Sequence, residues 1–599
     1  MKSKFALMLV TVAVATALFA ERMPLWPEGK IPDFQEHQIA AMTNESGRKD
    51  FVPAEHRMPY IDWCAKPANP NGCCMILISG GGYYNCCDVG LIELWAEEFT
   101  AAGFQCVNFV YRTPRPKNLP FYASAWADGQ RAVRMVRSEA KKRGFDPEKI
   151  GTISMSAGSH LATLLATSSQ TPAYEKVDEV DEVPCHVNWA ITGAIAYALT
   201  DGLGIANTRN GQAVDVKLDP IFKFDRKTAP MCMFHGSLDP YSPMASTYVY
   251  RELRKRNVPA ELHLFADRYH GFWGWDDAKH RMVRHGDRGD AAAAYDNWFD
   301  RAMEFLNQME FTGPLKPEVA LMDRYAKDFH DPSKYAKENL WPEGKTPDFQ
   351  KEQCVPYLEW YIPSNLTTKA IQIIYSGGGY YGNDPYGFEV APARRFLNEK
   401  GMAVVTMKYR TPRPAAPLAK HTTAWQDLQR CIRIVRSEAE AKGLDPKRIG
   451  IMGSSAGGHL TLMGVTSSRS RSYWNVDDID KLPCNVQWGV GIYPAYALTD
   501  GDDMHNKTGG NSDSARLVPE FAFDPDTCPM VFVHGDADGW AAMNSVKTWE
   551  QMRRMGIGSD LHTLCRRNHC FHRNASPGTG SYSHLGRIWE FLNHKGLNR

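Results

Sequence analysis

The sequence predicts two tandem copies of one α/β domain, each a mostly parallel central sheet flanked by helices. Long motifs recur at a period of about 300 residues, far beyond a solenoid unit, so the repeat is a duplicated domain. Within each copy, short β-branched runs alternate with helical patterns, the order expected of a parallel sheet with crossover helices. The composition is that of a globular chain: 43% of the 599 residues are hydrophobic and 23% charged.

The repeat can be followed motif by motif. Leu25-Trp26-Pro27-Glu28-Gly29-Lys30 returns as Leu340-Trp341-Pro342-Glu343-Gly344-Lys345, and Ser79-Gly80-Gly81-Gly82-Tyr83-Tyr84 as Ser376-Gly377-Gly378-Gly379-Tyr380-Tyr381. Tyr111-Arg112-Thr113-Pro114-Arg115-Pro116 returns at 409–414. The register between copies changes after the first of these motifs, which assigns extra sequence around 40–55 to the first copy. The expected domains are 21–311 and 339–599. A connector at 312–338, containing Gly313-Pro314, Pro317 and Pro332, joins them and includes a short helical stretch at 318–329.

In the first copy, 75–78 and 106–111 read as strands. An amphipathic helix covers 126–143 and stops at Gly144 before the turn Asp146-Pro147. Further strands are expected at 150–153, 191–195, 231–234 and 261–265.

At the N-terminus, Lys2 and Lys4 precede an apolar run of about ten residues and then small residues ending Ala17-Leu18-Phe19-Ala20. That is the pattern of a secretory signal peptide, residues 1–20, and the run is too short to span a bilayer. The expectation is an exported protein, periplasmic or extracellular, with no membrane partner once the signal is removed. Lys+Arg (69) and Asp+Glu (68) nearly cancel, which argues against a nucleic-acid partner. The 14 cysteines do not recur as a framework: only Cys185 and Cys484 correspond between copies. Buried thiols with at most a local bridge or two are expected. No spacing resembles a zinc site, so no metal is expected.

The chemistry is carried by three segments in each copy. After the strand at 150–153 comes Ser154-Met155-Ser156-Ala157-Gly158, and the second copy has Gly453-Ser454-Ser455-Ala456-Gly457. A serine between small residues at a strand-to-helix turn is a nucleophile elbow, and the helix N-terminus behind it favours a developing anion. Asp239, in His235-Gly236-Ser237-Leu238-Asp239, and Asp538, in His534-Gly535-Asp536-Ala537-Asp538, follow later strands. His270 and His569 come last. Ser…Asp…His is the order this arrangement requires. Ser156, Asp239 and His270 are each separated from Ser455, Asp538 and His569 by the same 299 residues, although the register changes elsewhere. The oxyanion donors are expected to be the amides of Ala157 and Ala456, with those of Gly81-Gly82 and Gly378-Gly379.

The glycine-rich loop, the S-A-G-x-H elbow, H-G-x-x-D and H-G-F resemble the carbohydrate-esterase branch of the α/β-hydrolases, in particular exported acetyl-xylan-esterase-like proteins. The resemblance covers nearly all of the mature chain. It implies two α/β-hydrolase domains that release small acyl groups, acetyl above all, from plant-type polysaccharide or oligosaccharide without a cofactor. Ser154 stands where the family has glycine, Cys570 follows the second base where glycine is expected, and Trp540 replaces Tyr241. Two other readings stay open: a glycan-binding protein with one or both triads inactive, and a serine peptidase, although no propeller-like repeat precedes either copy. Tyr83-Tyr84 and Tyr380-Tyr381 are candidates to stack on a sugar, or core residues. His160 and His459 read as packed helix histidines, His235 and His534 as structural, and Asp128 and Asp427 as partners of arginine.

Overall fold

Cys74–Ile78 and Ile150–Met155 are buried along their whole length, as strands inside a parallel sheet covered on both faces must be. The computed structural model describes residues 19–38, 58–86, 89–200, 216–270, 275–276, 281–282, 297–325, 335–499 and 514–598. The chain divides into two compact units. The first holds Met1–His263, Asp267–Ala302 and Glu310–Pro314; the second holds Leu264–Ala266, Met303–Met309 and Leu315–Arg599. The described part of the expected connector beyond Pro314 thus goes with the second unit.

The first unit is built from β1 (Phe19–Pro24), β2 (Tyr60–Cys64), β3 (Cys74–Ile78), α1 (Val89–Ala101), β4 (Gln105–Val110), α2 (Ala123–Arg143), β5 (Ile150–Met155), α3 (Ala157–Thr167), β6 (Trp189–Gly193), β7 (Met231–Gly236), α4 (Met244–Lys255) and β8 (Ala260–Phe265). Its strands lie in the order β1-β2-β4-β3-β5-β6-β7-β8. β1 and β2 are antiparallel additions at one edge, and β4, β3, β5, β6 and β7 run parallel. α2 ends at Gly144, whose φ of 81° supplies the left-handed C-cap.

The second unit repeats this plan with β9 (Glu338–Asn339), β10 (Tyr357–Tyr361), β11 (Ile371–Tyr375), α5 (Ala391–Glu399), β12 (Ala403–Lys408), α6 (Thr422–Glu438), β13 (Ile449–Ser454), α7 (Ala456–Thr466), β14 (Trp488–Ile492), β15 (Met530–Gly535), α8 (Met543–Arg554), β16 (Asp560–Leu564) and α9 (Gly580–His594). The order is β9-β10-β12-β11-β13-β14-β15-β16, with β12 through β16 parallel. Ile374, Val404, Met452, Val490 and Val531 from the sheet pack with Ile588 and Phe591 of α9 in one core cluster.

Two sequence expectations shift. The strand expected at 191–195 is Trp189–Gly193, two residues earlier, because Ala194 turns to a φ of 51° and leaves the extended region. The helical stretch expected at 318–329 shrinks to Leu321–Tyr325, since Val319 and Ala320 pair with Ala575 and Asn574 as a short ribbon; its residues 326–329 lie outside the described residues. Residues 1–18 of the expected signal peptide also lie outside them, while Phe19 and Ala20 open β1. No described helix is long and apolar enough to cross a membrane. No disulfide links any of the described cysteines, and Cys87 lies outside them.

Candidate active site

The elbow forms where β5 runs into α3. Ser156 sits at the junction with φ 56° and ψ −122°, a conformation an L-residue adopts only when its surroundings impose it. Ser455, between β13 and α7, has φ 55° and ψ −120°. Tight packing enforces the turn: a methyl group on Gly158 would lie 2.4 Å from the Ser79 carbonyl oxygen, and one on Gly457 2.6 Å from that of Ser376.

Three side chains distant in sequence meet at each elbow. In the first unit His270 Nε2 lies 2.9 Å from Ser156 Oγ, and its Nδ1 lies 2.8 Å from Asp239 Oδ2. In the second, His569 Nε2 is 2.8 Å from Ser455 Oγ and Nδ1 is 2.8 Å from Asp538 Oδ2. The free aspartate oxygens accept the Tyr241 and Trp540 amides at 2.8 and 2.7 Å. Both carboxylates are buried, which opposes ionisation, but hydrogen bonds from His235 and His270, or from His534 and His569, hold them well below the usual carboxylate range. An anionic aspartate on Nδ1 leaves Nε2 to accept the serine proton. His235 and His534 are buried supports: each contacts a serine of the following helix (Ser246 or Ser545) through Nδ1 and donates Nε2–H to the carbonyl of Tyr241 or Trp540.

The glycine loop closes over the serine. Gly81, Gly82, Gly378 and Gly379 all take positive φ. The nearest approach is made one residue earlier, at glycines the sequence reading did not single out: a methyl group on Gly80 would lie 3.1 Å from Ser156 Cβ, and one on Gly377 2.6 Å from Ser455 Cβ. Ala157 and Ala456 begin α3 and α7, where a helix's first amides have no intrahelical acceptor.

The repeated Tyr-Arg-Thr-Pro-Arg-Pro segment braces this loop. Tyr111 donates its hydroxyl to the Ser79 and Gly80 carbonyls, and Tyr409 does the same for Ser376 and Gly377. Arg115 donates to the Gly82 carbonyl and lies over the Tyr84 ring; Arg413 lies over Tyr381. Of the four candidate stacking tyrosines, Tyr83 and Tyr380 are withdrawn. Both are buried and hydrogen-bond His160 Nδ1 and His459 Nδ1 at 2.8 Å. Tyr84 and Tyr381 are 53% and 61% exposed and remain able to meet a ligand.

The units differ behind the serine. Glu389 accepts the Gly377 amide at 2.7 Å and the Tyr493 hydroxyl at 2.9 Å. Burial pushes its carboxyl up, against those two hydrogen bonds. The first copy carries Ile92 and Ala194 at the corresponding places in sequence. Because Glu389 has no counterpart, comparison of the copies could not reveal it. Cys570, beside the second base, holds φ 61°, the left-handed region where glycine is at ease.

A parallel sheet with crossover helices, a strained serine at a strand-to-helix turn and a Ser–His–Asp hydrogen-bond chain define an α/β-hydrolase of carbohydrate-esterase-like type. More narrowly, the chain belongs to the BD-FAE family, whose profile matches residues 64–253 and 358–551, once in each unit. The dienelactone hydrolase family also matches, at 216–310. Among curated proteins, the chain is 28% identical over 226 residues to endo-1,4-beta-xylanase B of Butyrivibrio fibrisolvens, covering 35% of each. It is 34% identical over 110 residues to an acetylxylan esterase of Xylanibacter ruminicola, covering 18% of this chain and 21% of that one. The chain thus spans about a third and a fifth of these relatives. Among solved structures, an acetyl ester-xyloside bifunctional hydrolase from Caldicellulosiruptor lactoaceticus is 22% identical, covers 44% of this chain and 97% of its own, and has a TM-score of 0.36.

Proposed function

We propose that the chain is an exported serine esterase that removes small acyl groups, acetyl foremost, from plant-type polysaccharide or oligosaccharide, with one catalytic centre in each unit. The observation that carries this reading is the hydrogen-bonded chain from serine through histidine to buried aspartate, repeated at both elbows. Ser156 or Ser455 attacks the acyl carbon as His270 or His569 takes its proton. Asp239 or Asp538 fixes the imidazole tautomer and steadies the imidazolium. The oxyanion is met by the Ala157 or Ala456 amide and by the glycine loop, each donor contributing about 2.7–4 kcal/mol to the transition state. The imidazolium then protonates the departing sugar oxygen, and water repeats the cycle on the acyl-enzyme. The exposed rings of Tyr84 and Tyr381, beside that loop, offer a face to a sugar ring. The basic, apolar and small-residue pattern of residues 1–20 supports export.

The test is acetate release from acetylated xylan and from p-nitrophenyl acetate. Ser156→Ala combined with Ser455→Ala lowers the rate by about six orders of magnitude, and each single variant reports the centre that is left. Full activity in the double variant would remove this mechanism.

A further inference from the structure

His421, His459 and Glu520 bring one donor atom each to within 4.8 Å of one another in the second unit. Glu520 Oε1 lies 3.4 Å from His459 Nε2 and 3.8 Å from His421 Nδ1. Two donors held by one ion with bonds of about 2.1 Å at the tetrahedral angle stand roughly 3.4 Å apart. Apart from this carboxylate, neither ring nitrogen meets a hydrogen-bond partner among the described residues, although both are buried. His421 occupies the N-cap of α6 without capping it, so its imidazole is not committed to that helix.

The first unit lacks this cluster, and the comparison is direct because backbone contacts fix the alignment. Tyr122 occupies the N-cap of α2 as His421 does that of α6, each accepting from a tryptophan amide four residues on. Ser168 Oγ donates to the Ile221 carbonyl as Ser467 Oγ does to that of Glu520. His160 and His459 both contact the buried tyrosine of the glycine loop. The two copies therefore share the helix histidine, but the second has histidine and glutamate where the first has Tyr122 and Ile221. His160 instead packs among Phe121, Tyr122 and Phe222.

We infer that His421 Nδ1, His459 Nε2 and Glu520 form a site for one borderline divalent ion, Zn²⁺ by its donor set, in the second unit, with no counterpart at Tyr122, His160 and Ile221 of the first. Two imidazoles and a carboxylate are a zinc ligand set, and the remaining position is left for water. The side chains of His421 and Glu520 are 16% and 20% exposed, which gives the ion a way in. Lys420, the adjacent cation, lies over the Tyr496 ring. With a metal on Nε2, His459 carries its proton on Nδ1 and donates it to the Tyr380 hydroxyl, so the ion sets the tautomer of a histidine that contacts the residue after Gly379. The site departs from the metal-free expectation because its ligands lie too far apart along the chain to form a recognisable spacing.

The full-length protein is stripped with a chelator, dialysed and titrated with Zn²⁺ by calorimetry, with Co²⁺ absorption reporting the ligand field. The wild type takes up one equivalent. His421→Tyr combined with Glu520→Ile, the residues the first unit already accommodates, loses that uptake, as does the near-isosteric Glu520→Gln. Tyr380→Phe weakens binding by roughly 10- to 100-fold, as loss of an outer partner does. No stoichiometric uptake by the wild type, or equal uptake by the double variant with its fold intact by circular dichroism, overturns the site. Neither readout depends on esterase activity.

Discussion

The distance between the β-carbon of a serine and the space a neighbouring glycine leaves empty sets how each elbow works. Gly377 leaves no room for a methyl group at 2.6 Å from Ser455 Cβ, whereas Gly80 leaves 3.1 Å beside Ser156. Gly377→Ala, made in a Ser156→Ala background so that only the second unit reports, should cut kcat on p-nitrophenyl acetate by roughly 10²-fold through displacement of the oxyanion loop. Gly586→Ala, which meets nothing within 4 Å on α9, serves as the control and leaves the rate unchanged. An unaltered kcat in the Gly377 variant would mean that the loop gives way at no cost. The sequence pointed to a glycine run after a strand but not to its closest member. That detail depends on the path of Ser79 and Ser376 over the elbow. The tyrosine pairs were ambiguous for a similar reason: alternation puts one ring of each pair inside, and only the hydrogen bonds to His160 and His459 show which.

At the scale of elements, a loop and a helix are locked together through one buried carboxylate. Asp128 of α2 accepts the Arg112 amide and guanidinium and the Trp26 indole; Asp427 of α6 receives the same three partners from Arg410 and Trp341. Both ion pairs are essentially inaccessible to water. Asp128→Ala would strand a buried guanidinium and should cost about 3–5 kcal/mol, read as a lower urea midpoint for the transition of the first unit. A shift no larger than that of an exposed carboxylate would refute the lock. Pairing with an arginine was legible in the sequence, but the partner comes from the proline-rich loop and not from the helix's own Arg-rich face. Parallel strands such as Cys74–Ile78 and Met231–Gly236 were readable because an apolar run leads each of them. The antiparallel strand Tyr60–Cys64, second from the edge and holding Asp62 within it, carried no comparable signal.

Over the whole molecule, duplication preserved the serine, histidine and aspartate of each elbow and changed what stands behind them. A fluorophosphonate probe followed by intact mass should label two serines in the wild-type chain, one in Ser156→Ala or Ser455→Ala, and none when both are replaced. A single label in the wild type would mean that one centre is closed. Reading the chain against itself revealed the domain number and the serine, aspartate and histidine that meet at each elbow, because those are what the copies share. Glu389, His421 and Glu520 escaped the same comparison because it registers only agreement.

The carboxylate of Glu389, answered in the first copy by Ile92, has a kinetic consequence. On the proposed function, two centres with unlike back walls should differ in affinity and turnover, so steady-state velocity against substrate concentration is expected to be the sum of two hyperbolas. A Michaelis constant fitted to the intact polypeptide is then an average weighted by the assay range, a property of neither active centre.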